Sequence, residues 1–197
     1  MTDEKRPYRK RRRAEQEAET RLRITESAVE LHGTLGPSRT SMSAIADAAG
    51  VPRSTLYRHF PDEAAVFAAC SAHWRAANPS PDIAAWAAIQ DPDERLRAAL
   101  TELYGFYRST ESMMENLFRD EALMPVVQDS FSRFHAYLAQ ARDVLLQGRG
   151  LRGNARRRVL AATGHALDFR TWRSLTREGD LADAEAVELM RRLVAGA

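Results

Sequence analysis

Cysteine is nearly absent: Cys70 is the only one in 197 residues. One thiol excludes an intrachain disulfide and any metal site built on a cysteine pair. Long apolar runs are missing too. The longest, Ala64 to Cys70 among them, cover seven residues, far below the ~18–20 that a membrane span requires, so no membrane partner is expected. The charged N-terminal stretch has no apolar core for a secretion signal, and the cytoplasm is the expected location. β-Branched residues are scarce, and no segment alternates apolar and polar side chains for long enough to make a sheet. There is no His-Glu-x-x-His, no phosphate-binding glycine-rich loop and no credible nucleophile–base pair. The chain is therefore expected not to be an enzyme and to carry no cofactor and no metal.

Hydrophobic residues make up 44% of the chain and charged residues 28%, a globular balance that excludes a wholly disordered or collagen-like protein. The length allows one domain or two small ones. The net charge of +2 hides an asymmetry: residues 1–60 hold 12 basic and 8 acidic side chains, the remainder 17 and 19. Lys5, Arg6, Arg9, Lys10, Arg11, Arg12 and Arg13 place seven cations in nine positions. A block this dense repels itself, so residues 1–13 are expected to form a disordered basic arm. Such an arm suits a polyanion, because each neutralised phosphate releases a counterion. A solvated tail is the alternative.

Abundant Ala, Leu, Arg and Glu, all strong helix formers, point to an all-α chain. A first helix is expected over 14–32, with Leu22, Ile24, Ala28 and Leu31 as its apolar stripe and Gly33, Gly36 and Pro37 ending it. Short helices follow over 42–49, with Ser41 as N-cap, and 52–60, opened by Pro52. Longer ones are expected over 63–77, 82–89, 93–108 and 111–123. Pro125 resets the chain, and Val127, Phe131, Phe134, Leu138, Ala141 and Leu145 mark one face of the next helix. Residues 148–153 read as a loop with three glycines. The last two helices are expected over 154–177 and 182–194.

The informative stretch runs from Ser41 to Phe60. Ile45 and Ala49 share a face of the first short helix, and Ala46 is small where the second must cross it. Gly50 can adopt the left-handed backbone of a sharp turn. Val51 and Leu56 can bury in the angle between the helices. This is the spacing of a helix-turn-helix. It leaves donor-rich Arg53, Ser54, Thr55, Tyr57, Arg58 and His59 on the second helix, several facing outward, as a helix in the major groove requires. A merely structural helical hairpin is the alternative.

Ile45-Ala46, Ala49-Gly50-Val51 and Thr55-Leu56-Tyr57-Arg58-His59-Phe60 resemble the TetR family of bacterial transcriptional regulators, most closely over about residues 20–70. The resemblance implies an N-terminal three-helix DNA-binding domain, over 14–62, and a larger helical domain, over 63–197, that binds a small molecule and dimerises. It implies phosphate contacts at Thr40 and Ser41, and base or backbone contacts at Arg53, Ser54 and Thr55. Tyr57 and His59 match phosphate-contacting positions, and Arg58 joins them as a DNA-binding candidate. One departure stands out: where the family commonly has a lysine at the start of its fourth helix, Pro61-Asp62 is followed by Glu63. A carboxylate suits a helix N-terminus but repels phosphate, and Arg58 or the basic arm can compensate.

Aromatic and sulfur side chains gather between Tyr104 and Trp172. Tyr104, Tyr107, Phe118, Phe131, Phe134, Phe169 and Trp172, with the polar His135, His165 and Asp168, are the candidates for lining an effector cavity. Core packing is the competing reading. His165 and Asp168 lie three apart on one helical face. They can orient a ligand or pair at a subunit interface, but they are too few for a metal. Leu160, Gly164, Leu167, Thr171 and Leu175 form one stripe; Val187, Met190 and Val194, beside Ala186, Leu189 and Leu193, form another. Two such helices from each of two subunits would make a four-helix bundle. The expected whole is a ligand-responsive repressor that binds palindromic double-stranded DNA as a homodimer and is released by a small-molecule effector. A helical enzyme with an unrecognised active site and a DNA-binding protein without an effector are the alternatives.

Overall fold

A thirty-residue helix, α1 (Lys5–Thr34), leads the chain. The computed structural model describes residues 5–197, with side chains from residue 10 onward. Residues 5–13, expected to be disordered, are helical, and residues 1–4 of the expected arm lie outside the described residues. The physical reason is local. Arg and Lys are good helix formers, and Arg11–Glu15 and Arg13–Glu17 pair across one turn at 2.9 and 3.2 Å. Each exposed pair stabilises the helix by about 0.3–0.5 kcal/mol.

Packing divides the chain into two units, one of residues up to Asn78 with Glu115–Ser130, the other Pro79–Met114 with Phe131–Ala197. In the first unit α1 is followed by a 3₁₀ turn, Pro37–Arg39, then α2 (Met42–Ala48), α3 (Arg53–His59) and α4 (Glu63–Ala77). Its core joins Ile24 and Ala28 of α1 to Ile45, Ala46 and Ala49, to Leu56 and Phe60, to Val66, Phe67 and Cys70 of α4, and to Val127. Leu22, expected in the α1 stripe, is 46% exposed: it lies two residues before Ile24, about 200° around the helix. α4 packs against α1 and completes this core.

The second unit holds α5 (Ile83–Ala87), most of α6 (Pro92–Asp120) and of α7 (Pro125–Leu146), then α8 (Gly153–Leu167), α9 (Phe169–Arg173), a π turn at Ser174–Glu178, and α10 (Asp183–Ala195). Two expectations fail here. The break expected near residue 110 is absent: Ser109 and Thr110 turn their hydroxyls back onto the Phe106 carbonyl, at 2.9 and 2.6 Å, and the helix continues. The helix expected over 154–177 is broken at Asp168, whose backbone is extended and whose carboxylate accepts the Arg170 N–H as an N-cap. Tertiary contacts make the break affordable: Tyr104 and Tyr107 donate their hydroxyls to the Ala166 and Leu167 carbonyls, at 2.9 and 2.7 Å. Those are orphan acceptors of a helix C-terminus.

Candidate nucleic-acid interface

The turn between α2 and α3 is built as its residue types dictate. Ser41 caps α2 by accepting the Ala44 N–H at 3.1 Å. Gly50 takes φ +61°, a conformation in which a side chain would be strained. Val51 N–H then returns to the Ala46 carbonyl at 3.0 Å. Pro52 ends the turn with φ −59° and stands as N-cap of α3. Leu56 and Phe60 are fully buried, so the opposite face of α3 is turned outward. Arg53, Ser54, Tyr57 and Arg58 are exposed there, and Thr55 and His59 are half-buried. Positions i, i+1, i+4 and i+5 form one face of a helix, which is what reading a groove demands.

The hydroxyls ahead of α2 are not equivalent. Ser41 Oγ uses a lone pair for its cap and keeps its own proton for an anion. Thr40 already donates its proton to the Gly36 carbonyl at 2.8 Å. His59 is held toward the neutral form, first by burial and then by the charges of Arg58 and Arg21; its Nε2 is buried with no hydrogen-bond partner among the described residues. At the start of α4, Asp62 accepts the Ala65 N–H at 2.8 Å and Glu63 lies exposed in the first turn. Two carboxylates therefore occupy a helix terminus that would otherwise attract a phosphate. Arg39, not singled out from the sequence, lies exposed on the 3₁₀ turn beside Thr40; its position next to Thr40 and Ser41 is the signal that could have found it.

The approach to α2 is set by three residues at the end of α6. Asn116 Nδ2 donates to the His32 and Gly33 carbonyls at 3.0 and 2.9 Å, and Arg119 donates to the Leu35 carbonyl at 2.9 Å. Asp120, fully buried, accepts the Ser38 N–H at 2.9 Å and pairs with Arg119 at 2.8 Å. Beneath them Cys70 Sγ lies 3.4 Å from His32 Nδ1. Burial pushes the thiol up to about 12 and the imidazole down to about 4. Both are neutral near pH 7, and the thiol is no nucleophile.

Residues 24–70 match the model for bacterial regulatory proteins of the tetR family. This segment is similar to the DNA-binding part of that family. The chain as a whole has a TetR-like fold. A TetR-like transcriptional regulator from Rhodococcus sp. RHA1 superposes with a TM-score of 0.66 at 20% identity, covering 89% of this chain and 93% of that one. AibR, in complex with isovaleryl coenzyme A and operator DNA, matches with a TM-score of 0.62 at 19% identity, covering 87% and 96%. A HlyIIR mutant matches with a TM-score of 0.66 at 15% identity, covering 90% and 97%. No curated protein sequence matches the chain. No helix among the described residues is long and apolar enough to cross a membrane.

The ten effector candidates fall into separate settings. Phe118 lies in the first unit and is half-buried. Tyr104, Tyr107, Phe131, Phe169 and Trp172 are buried in the second. Tyr107 packs edge-on against Phe134 and Phe169, with ring centroids 6.4 and 5.3 Å away, and Trp172 donates to Asp183 at 2.9 Å. Phe131 meets the exposed His135 edge-on at 5.4 Å. His165 and Asp168 line an open cleft of about 610 Å³ with Gly164, Arg170, Thr171, Ser174, Leu175 and Met190. They do not pair: Asp168 caps α9, and His165 Nδ1 lies 3.1 Å from Thr171 Oγ1. The stripe of Val187, Met190 and Val194 is buried, with α10 packed on α8 inside the unit, whereas Leu189 and Leu193 are 44% and 45% exposed.

Proposed function

We propose that this chain is a transcriptional repressor that binds palindromic operator DNA as a homodimer and is released by a small molecule. The observation that carries the reading is the outward face of α3, where Arg53, Ser54, Tyr57 and Arg58 stand exposed on a helix anchored by Leu56. Those side chains supply the donors that base edges and phosphates accept. One such helix reads only a few base pairs. A twofold dimer sets two of them about 34–36 Å apart, one DNA turn, and so explains a palindrome. Ser41 and Arg39 beside it, and the cations along the N-terminal part of α1, add sequence-independent affinity.

Release by an effector is supported by likeness to AibR, whose complex holds both isovaleryl coenzyme A and operator DNA. The cleft lined by His165 and Asp168 is the effector site in this reading, and the Tyr104–Trp172 cluster is the core behind it. A ligand bound there acts only by favouring one dimer geometry over the other. A shift from 99:1 to 1:99 requires about 5.5 kcal/mol of differential affinity. No catalytic role is assigned to any residue.

Selection of duplexes from a random pool tests the reading directly. Against the enriched duplex, Arg53→Ala is expected to cost about 1–3 kcal/mol and to relax discrimination, while Tyr57→Phe weakens all sequences alike. Unchanged affinity in the Arg53, Tyr57 double variant overturns the assignment. A thermal-shift screen that includes acyl-coenzyme A thioesters tests the effector.

A further inference from the structure

The recognition helix α3 has seven residues, so its last carbonyls find no partner inside the helix. One of them is held by another helix. Arg21 of α1 donates from Nη1 to the His59 carbonyl at 2.6 Å. Its guanidinium carbon also lies 4.0 Å from the centroid of the Phe60 ring. Within α3 only Leu56 is buried, and a two-turn helix gripped at one side chain is free to tilt and roll about that point. Phe60, fully buried, and the Arg21 bond fix its far end.

The anchor itself is firm. Arg21 sits three residues before the fully buried Ile24, and Thr25 returns its hydroxyl to the Arg21 carbonyl at 2.9 Å. The geometry also uses what is particular to arginine. A planar fork donates to a carbonyl while its face lies on a ring, which an ammonium group does not reproduce. A cation at a helix C-terminus further complements the helix dipole.

We infer that Arg21 is a positioning residue for sequence recognition, setting through the His59 carbonyl and the Phe60 ring the angle at which α3 presents Arg53, Ser54, Tyr57 and Arg58 to DNA. The inference rests on the DNA-binding reading above. It differs from the simpler use of a surface cation, which is to neutralise a phosphate. A phosphate contact acts on all sequences alike, adds about one to the salt slope of binding, and survives replacement by lysine. A positioning contact acts on the ratio between right and wrong sequences, leaves the slope unchanged, and is lost with lysine.

The full chain and its Arg21→Lys and Arg21→Met variants are compared at a temperature where circular dichroism shows full helix content. The probes are the duplex that the wild-type chain enriches from a random pool and a scrambled duplex of equal length, each across a salt series. Both variants are expected to lose about tenfold in the ratio of the two affinities, the equivalent of one hydrogen bond to a charged group. Affinity for the scrambled duplex and both salt slopes stay at wild-type values. A wild-type ratio in Arg21→Lys, or a slope lowered by about one in Arg21→Met with its ratio unchanged, makes Arg21 a phosphate contact and overturns the inference. A lowered unfolding midpoint with wild-type ratios makes it merely structural and also overturns it. If the wild-type chain itself enriches no duplex over the scrambled one, the DNA-binding reading fails, and the inference falls with it.

Discussion

The buried His32 shows how much one side chain's surroundings decide. Burial makes Cys70 an inert thiol, but its partner 38 positions away is not legible in the sequence. His32 sits near the end of α1 and looks like a helix-terminating polar residue. Only the packing of α1 against α4 brings its Nδ1 to the sulfur. Folding lowers its pKa from 6.5 to about 4, so between those values the unfolded chain holds a proton that the folded chain refuses. Stability is then complete above about pH 6.5, falls as pH drops toward 4, and levels off below. The integrated loss is roughly 3 kcal/mol. Urea unfolding of the wild type and of His32→Gln at pH 7.5 and 4.5 checks this: the variant is expected to lose markedly less stability between the two. Equal losses would remove His32 as the cause.

At the scale of elements, helix ends prove to be tertiary objects. The Ser41 cap, the Gly50 turn and the Pro52 start could be read directly, because capping and turn chemistry act within a few residues. The ends of the other helices could not. Ser109-Thr110 looked like a break and is not; Asp168 looked like helix interior and is a cap. In each case local competition between backbone and side chain is close, and a distant partner settles it. Tyr104 and Tyr107, candidates for a ligand, are such partners. Arg95 is another, and it was not foreseen. Only 5% exposed, it donates to the Ile89 and Gln90 carbonyls at 2.9 and 3.2 Å and to the Val144 and Gln147 carbonyls at 3.1 and 2.8 Å. It thereby closes the ends of α5 and α7 around the start of α6. Arg95→Ala leaves these acceptors without a donor and is expected to destabilise the chain by about 3 kcal/mol. Denaturant titration checks it, and a loss below about 0.5 kcal/mol would mean that water replaces the guanidinium.

For the whole molecule, the proposed dimer bears on whether a short recognition helix is useful. Two apolar stripes were expected to meet a second subunit, but the structure puts them to different uses. Val187, Met190 and Val194 are buried against their own unit, and Leu167 is 1% exposed. A charge at Met190 or Leu167 would therefore damage the fold before it tested any interface. Leu189 and Leu193, one turn apart, remain exposed on α10 and are the contact that the dimer proposal needs. Leu189→Glu with Leu193→Glu is expected to give a monomer of unchanged helix content that loses palindrome binding, as read by sedimentation and titration with the enriched duplex. A wild-type chain that sediments as a monomer at micromolar concentration, yet binds a palindrome tightly, would overturn both the interface and the dimer.

What the sequence determined by itself is whatever acts over a few residues or sums over many. Helix-forming composition with no alternating segment made the chain all-α. The run from Ser41 to Phe60 specified the helix-turn-helix and the outward face of α3, because a cap, a left-handed glycine and a periodic pair of apolar residues are local instructions. Tertiary structure decided what depends on partners far along the chain: that α4 completes the first core, that Arg21 holds the end of α3, that the α8 carbonyls go to tyrosines, and which leucines stay exposed on the single chain. A helical stripe states that a residue is apolar on one face. Only the packed structure decides what covers that face, because side chains more than 30 positions apart compete for it through shape and hydrogen bonding that no local pattern encodes.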